Sequence, residues 1–256
     1  MSAPLQITPL PYHETPLARF SRLRRRPGAV LLDSGRPEAP GGRFDILACD
    51  PLVTLEIDDR GTLTGVPELA GLSPFAAQQA LLERLPATDL ESELPFLGGL
   101  IGYWSYDLGR LLEPVGEHAR PAVALPASRV GLYDWALIQD HLRQEAWLVA
   151  SPERRRQVLD WLAVPAPEAD AFRLTAPFGG ELSREAYLER FAAVQRYIRA
   201  GDCYQINLAQ RFSAPYAGDL WAAYRYLRRA TPTPYAGYMS WPGPQGEQAL
   251  LSLSPE

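Results

Sequence analysis

Short apolar runs that stop at glycine or proline recur through most of this chain, and they restrict it to a fold built from brief strands. Residues 29–33 (AVLLD) read as a buried strand that ends at Ser34-Gly35, before a Gly- and Pro-rich loop. Residues 43–49 (RFDILAC) resume an extended pattern that Asp50-Pro51 breaks. Residues 52–65 pattern as a hairpin, LVTLEI and TLTG on either side of Asp58-Asp59-Arg60-Gly61. Residues 96–106 (FLGGLIGYWSY) place glycines in an apolar, aromatic segment, where they allow close backbone approach or a bulge. Residues 130–138 and 145–150 form a second hairpin pattern around Asp140. Tyr235 to Trp241 and Ala249 to Ser254 read as two strands joined by a Pro-Gly turn. Strands outnumber helices, and the hairpins favour antiparallel pairing over βαβ units.

Helices are marked by their ends. Ser73-Pro74 and Ser151-Pro152 each place a capping residue before a proline at the first helical position; the helices run to about Leu85 and Leu162. The clearest helix follows Ser183 and is closed by Gly201. Tyr187, Phe191, Val194 and Ile198 recur in it at helical steps, so they are expected to share one buried stripe. Asp219 caps a further helix. Residues 166–182 lack any clear period and are the linker candidate, which divides the chain into a domain at 1–165 and a second one beginning at 183–256.

The chain has 256 residues and a formal net charge of -5, which argues against a nucleic-acid binder. The arginine runs 22–26 and 154–156 read as solvated faces. All 25 basic residues are arginine, so these residues offer no lysine nucleophile, Schiff base or phosphate-loop lysine. Cys49 and Cys203 match no metal spacing and read as reduced, buried thiols. His13, His118 and His141 show no ligand spacing. The N-terminus lacks a basic start followed by an apolar core, and no apolar run reaches the ~18 residues of a membrane span. A cytoplasmic protein is expected.

Several residues could carry chemistry. After Gly201 the sequence alternates, with Gln205, Asn207 and Arg211 on one face of a strand; this is either a solvated sheet face or a polar wall for an anionic substrate. Ser34, the Gly41-Gly42-Arg43-Phe44 run and Pro234-Tyr235-Ala236 combine a hydroxyl, glycine-exposed amides and an aromatic wall that would suit a small zwitterion. Glu256 follows a strand-like stretch and could be a general acid if desolvation raises its pKa.

The runs GDCYQINLAQRF (201–212), FLGGLIGYWSYD (96–107), LYDWALI (132–138) and SLSPE (252–256) resemble the chorismate-utilising enzymes, the family of anthranilate synthase component I and the isochorismate and salicylate synthases. The wording CYQINLAQ and SLSPE favours the aminodeoxychorismate synthase component I branch. The resemblance covers about Phe20 to Glu256. It implies an α+β fold, with antiparallel sheets packed as a sandwich, helices around them, and both halves of the sequence contributing.

The resemblance also implies conversion of chorismate and ammonia to 4-amino-4-deoxychorismate, a precursor of 4-aminobenzoate and folate. Ammonia would come from glutamine through a partner amidotransferase, with magnesium on the substrate carboxylate. The family's general acid falls on Glu256. Its tryptophan pocket falls on Ser34, Gly41, Gly42, Arg43, Phe44, Pro234, Tyr235 and Ala236. The family's nucleophilic lysine and magnesium-binding glutamates have no counterpart in these residues, so the chain is expected to be a front portion that is inactive alone. The alternatives are an anthranilate synthase component I fragment, or a non-catalytic module that binds tryptophan or a partner subunit.

Overall fold

The computed structural model describes residues 4–88, 90–113, 125–243 and 246–254. The first elements are β1 (Gln6–Leu10), α1 (Leu17–Leu23), β2 (Val30–Asp33), β3 (Phe44–Ala48), β4 (Val53–Ile57), β5 (Leu63–Thr64) and α2 (Pro74–Leu82). Then come β6 (Gly99–Trp104), β7 (Ser128–Tyr133), β8 (Ala136–Asp140), β9 (Glu145–Ala150) and α3 (Pro152–Ala163). The remainder holds β10 (Arg173–Leu174), β11 (Gly179–Gly180), α4 (Arg184–Ala200), β12 (Phe212–Ser213), β13 (Tyr216–Ala217), α5 (Leu220–Ala230), β14 (Tyr235–Gly243) and β15 (Gly246–Ser254).

The chain forms two compact units, one of Met1–Glu168 with Tyr224–Glu256 and one of Ala169–Ala223. This division differs from the sequence partition at 166–182, because β14 and β15 join a sheet of the first half. In the first unit seven strands pair in the order β1-β9-β8-β3-β2-β14-β15, and four more in the order β5-β4-β7-β6. Every pairing is antiparallel. Val30 and Ala48 of the large sheet pack with Ile101 and Tyr133 of the small one, so the sheets face each other as a sandwich. Helix α2 covers the other face of the small sheet, where Ala77 and Leu81 meet Leu55, Ile57 and Val130. On the second face of the large sheet, Tyr238 of β14 takes edge contacts from Phe20 of α1 and Tyr224 of α5.

The run 130–138 is not a single strand. Residues 128–133 belong to the small sheet and 136–140 to the large one, and the chain crosses at Asp134-Trp135. Trp135 is fully buried there and its indole N–H donates to the Cys49 carbonyl at 2.9 Å. The arginine runs are not solvated faces throughout. Arg24 is buried, and Arg154 is held by Asp50 at 2.6 Å and by Asp134 at 3.2 Å. Of the cysteines, Cys49 is buried and Cys203 is half-buried.

In the second unit, α4 has the expected ends. Ser183 accepts from the Ala186 N–H, and Gly201 takes the left-handed conformation at φ 83°. Its apolar stripe is not buried: Phe191 is 47% exposed and Ile198 36%. The alternating segment after Gly201 forms a strand only at Phe212–Ser213, where β12 pairs with β11. The periods predict which residues share a face, but not how deeply that face is buried.

Two outcomes test this packing. A Cβ on Gly102 would lie 2.1 Å from the Arg129 carbonyl oxygen and 2.6 Å from the Val130 Cα. Gly102→Ala should cost about 2–3 kcal/mol in urea unfolding, while Gly109→Ala, which meets nothing within 4 Å, should stay within about 0.5 kcal/mol. Phe191→Asp, at a position 47% exposed, should change the unfolding free energy of this chain by no more than about 0.5 kcal/mol.

Candidate functional site

The pocket residues named by the sequence gather unevenly at the end of β2. Ser34 follows that strand and is buried. Gly42 lies against it: a Cβ there would sit 2.3 Å from the Ser34 carbonyl oxygen, so this approach needs glycine. Gly35, at φ 73°, is as close to the Thr233 carbonyl, and Ala236 is in register with Asp33. Ser34, Gly42, Pro234 and Ala236 are thus brought together. Gly41 and Tyr235 face solvent, Tyr235 at 64% exposure. Arg43 reaches over the Phe44 ring at 4.5 Å and forks onto Asp140 at 2.8–3.2 Å.

Two buried networks hold this region. Asp33 accepts from Arg228 Nε at 2.7 Å, from Arg228 Nη2 at 3.1 Å, from the Tyr224 hydroxyl at 2.8 Å and from the Gly35 N–H at 2.7 Å. Arg228 also donates to Glu38 at 2.5 Å and to the Arg36 carbonyl. Burial alone would lower the Arg228 pKa, but the hydrogen bonds and charges of Asp33 and Glu38 outweigh it and hold it above its ordinary value. Burial, and then the Asp33 charge, push the Tyr224 phenol upward.

The second network centres on Asp45. Its Oδ1 accepts from the Ser34 N–H at 2.8 Å and the Ser34 hydroxyl at 2.6 Å. Its Oδ2 accepts from Gln139 at 3.1 Å and lies 2.6 Å from His141 Nε2. The Tyr12 hydroxyl meets His141 Nδ1 at 2.7 Å, and Arg19 donates to Gln139 Oε1 at 2.9 Å. Desolvation, and then the nearby Arg22 charge, lower the Arg19 pKa to about 10. Serine, aspartate and histidine meet here in the wrong order for an activated nucleophile. A catalytic triad places histidine between the other two, as base to the serine. In this network the aspartate lies between them, and the serine hydroxyl donates its hydrogen bond to a carboxylate.

The remaining candidates lie elsewhere. Gln205 donates to Asn207 at 3.3 Å, and Arg211 lies 3.3 Å from Glu181; all four are exposed and line no strand. Glu256 lies outside the described residues. Among the described residues no group of three or more His, Cys, Asp or Glu side chains is placed to hold a metal ion.

Asp45, His141, Tyr12 and Arg228 were missed as site residues, although two of them left a signal. Asp45 falls on the β3 face of Leu47, where the strand period calls for an apolar residue. Arg228 continues the helical step from Tyr224 that faces the sheet. A charged residue at a buried-face position signals a buried partner.

A model of the family described as chorismate binding enzyme matches residues 29–256. Aminodeoxychorismate synthase component 1 of Klebsiella aerogenes is 43% identical over 244 residues, which cover 93% of this chain and 52% of the relative. The protein of that name from Escherichia coli (strain K12) is 40% identical over 243 residues, with the same coverage of 93% and 52%. Anthranilate synthase component 1 of Thermus thermophilus is 33% identical over 258 residues, covering 95% of this chain and 54% of the relative. The chain therefore spans about half the length of the curated relatives it matches. The structure of anthranilate synthase component I from Streptococcus pneumoniae TIGR4 superposes with a TM-score of 0.68 at 24% identity, over 86% of this chain and 52% of that one, and it shows the same fold.

Two tests address the networks. Arg228→Ala leaves Asp33 buried without its cation and should cost about 3–5 kcal/mol in urea unfolding, part of which the double variant Asp33→Asn/Arg228→Met should recover. The second concerns pH. Burial raises Asp140, but Arg43 and the Arg143 and Leu142 amides outweigh it and hold the carboxyl below its ordinary 3.8. A depressed folded pKa adds stability above the unfolded pKa and loses it as pH falls through the folded one. Arg43→Gln should therefore be less stable than the parent at about pH 6, and the difference should shrink as pH falls through the folded pKa of Asp140.

Proposed function

The chain belongs to the chorismate binding enzyme family, and from that membership we propose that it is part of component I of an aminodeoxychorismate synthase. The observation that carries this reading is the identity of 43% and 40% to relatives of that name, against 33% for an anthranilate synthase component 1 over a similar span. The substrate is chorismate, a ring bearing carboxylates and a C4 hydroxyl. Ammonia replaces that hydroxyl, giving 4-amino-4-deoxychorismate and water, for 4-aminobenzoate and folate synthesis in the cytoplasm. A partner amidotransferase supplies the ammonia from glutamine.

The residue proposed to act at the reacting centre is Glu256. A protonated carboxyl there donates to the departing hydroxyl, a role that needs a pKa raised by desolvation. The sequence contains no lysine to form the adduct that the resemblance implies, and no step is assigned to that adduct or to magnesium. The other proposed site is an aromatic amino acid pocket, with tryptophan as the ligand, at Ser34, Gly41–Phe44 and Pro234–Ala236. Its residues all lie in one compact unit, together with the networks that support them. That favours a second reading, in which the 256 residues alone serve as a binding module for tryptophan or the partner subunit.

The polypeptide of the whole reading frame, mixed with an amidotransferase subunit, glutamine, magnesium and chorismate, should yield a product that a lyase converts to 4-aminobenzoate. Fluorescent anthranilate instead would move the protein to the anthranilate branch. The 256 residues alone, with chorismate, ammonium and magnesium, should give no turnover above background; turnover would show that a lysine adduct is dispensable.

A further inference from the structure

The seven-stranded sheet is wider than the four-stranded sheet that faces it. The small sheet packs on Val30 of β2 and Ala48 of β3. The same face continues past it, onto β8, β9 and β1. Ile138 is in register with Ile46, which touches both cores. Trp147 is in register with Ile138, and Ile7 with Val149, so these side chains all point to that face. The cover here is a connecting segment and not a sheet: Leu94, Phe96 and Leu97 pack against Ala136, Ile138 and Val149. It fills the space incompletely. A cavity of about 250 Å³ remains, lined by Ile7, Ser92, Glu93, Leu94, Arg143 and Trp147. None of these residues belongs to the amino acid pocket or acts in the reaction proposed above.

We infer that this cavity binds a small planar aromatic carboxylate, with its ring against Trp147, Ile7 and Leu94 and its carboxylate on Arg143. The volume lies below the roughly 300–1,000 Å³ of sites for drug-sized ligands, so it suits a single ring. Two aliphatic side chains and an indole offer that ring apolar and aromatic contact. Arg143 supplies a planar fork that matches a carboxylate. In the free protein Glu93 holds that fork through Arg143 Nη2. The two side chains are 75% and 48% exposed, and an ion pair so open to water contributes little. An incoming carboxylate can therefore take the place of Glu93 on the guanidinium. The Ser92 hydroxyl accepts from the Leu94 N–H at 3.1 Å, which leaves its own hydrogen to donate. Glu145, on the same face of β9, is exposed and outside the lining.

The test titrates the 256-residue protein with benzoate, benzyl alcohol and benzylamine, which share a ring and differ in charge. Binding is followed by calorimetry and by the NMR signal of the Trp147 indole N–H, assigned by its loss in Trp147→Phe. Benzoate should bind saturably with a Kd of about 1 mM or tighter, shift the Trp147 signal, and exceed each of the other two probes by at least about tenfold. Arg143→Gln should bring the three probes within about threefold of one another, whereas Glu93→Gln, which frees the guanidinium, should tighten benzoate by about threefold. Both substitutions alter exposed side chains, so the fold should be retained. Equal affinity for the three probes, or weaker benzoate binding in Glu93→Gln, would overturn the inference. Tightest binding of benzylamine would make Glu93 the anchor and overturn it too. So would the absence of any saturable shift at Trp147, or self-association that Trp147→Gln abolishes, which would make a second copy of the chain the occupant.

Discussion

The buried pair of Asp33 and Arg228 is the interaction on which the rest of the first unit turns. The two residues are 195 positions apart, so neither can be neutralised by its own neighbourhood. Arg228 is 1% exposed and Asp33 2%. Once β14 has paired with β2, α5 must lie where its guanidinium reaches the end of β2, because any other placement leaves a buried charge unpaired. A buried ion pair adds little stability over an apolar pair of the same volume. It does penalise alternatives, and here it fixes the seat of one helix and the course of one loop. Arg228 also binds the Arg36 carbonyl and Glu38, so the loop from Gly35 to Gly42 is ordered from the far end of the chain.

That dependence explains which parts of the fold could be read from the sequence. Features set by a few neighbouring residues were legible. Ser151 and Ser183 cap their helices, Gly201 closes α4, the Asp219 carboxylate accepts from the Trp221 N–H, and the Asp58–Gly61 turn joins β4 to β5. Features set by distant partners were not. The three arginines at 154–156 look like a solvated face until Asp50, 104 residues away, is folded onto Arg154. The run 130–138 is continuous in pattern, yet it serves two sheets, because Asp134-Trp135 turns the chain from one to the other. Alternation specifies faces within a strand and is silent about which sheet a strand joins.

The candidate site was legible in a different way. Ser34, Gly42 and Ala236 were identified by resemblance, not by period or spacing, and the structure places them side by side. Asp45 and Arg228 were available to a stricter reading of the pattern, since each stands where its element faces the interior. His141 and Tyr12 were not. Each sits just beyond the end of a strand, and only the pairing of β9 with both β1 and β8 brings them together across 129 residues.

The twelve residues from Gly201 to Phe212 carry the most specific wording in the chain and the least regular structure. The physical reason lies in the backbone. A strand exists only where a neighbour pairs its N–H and C=O groups, and side-chain alternation cannot supply that pairing. Among the described residues only the Phe212 end of this segment has a strand partner, at Gly180, while Tyr204 and Ile206 stand exposed. The same logic applies to β15, which ends the seven-stranded sheet among the described residues. Its residues from Gln248 to Ser254 include no proline and no charge, the usual guards of a sheet edge. An unguarded edge and an unpaired alternating segment are both templates for strand pairing, and they lie in the stretch whose wording identifies the family. Among these residues, then, the sequence signal is strongest where the structure is least self-sufficient. The Asp33 and Asp45 networks, by contrast, tie their region together with side chains from distant parts of the chain.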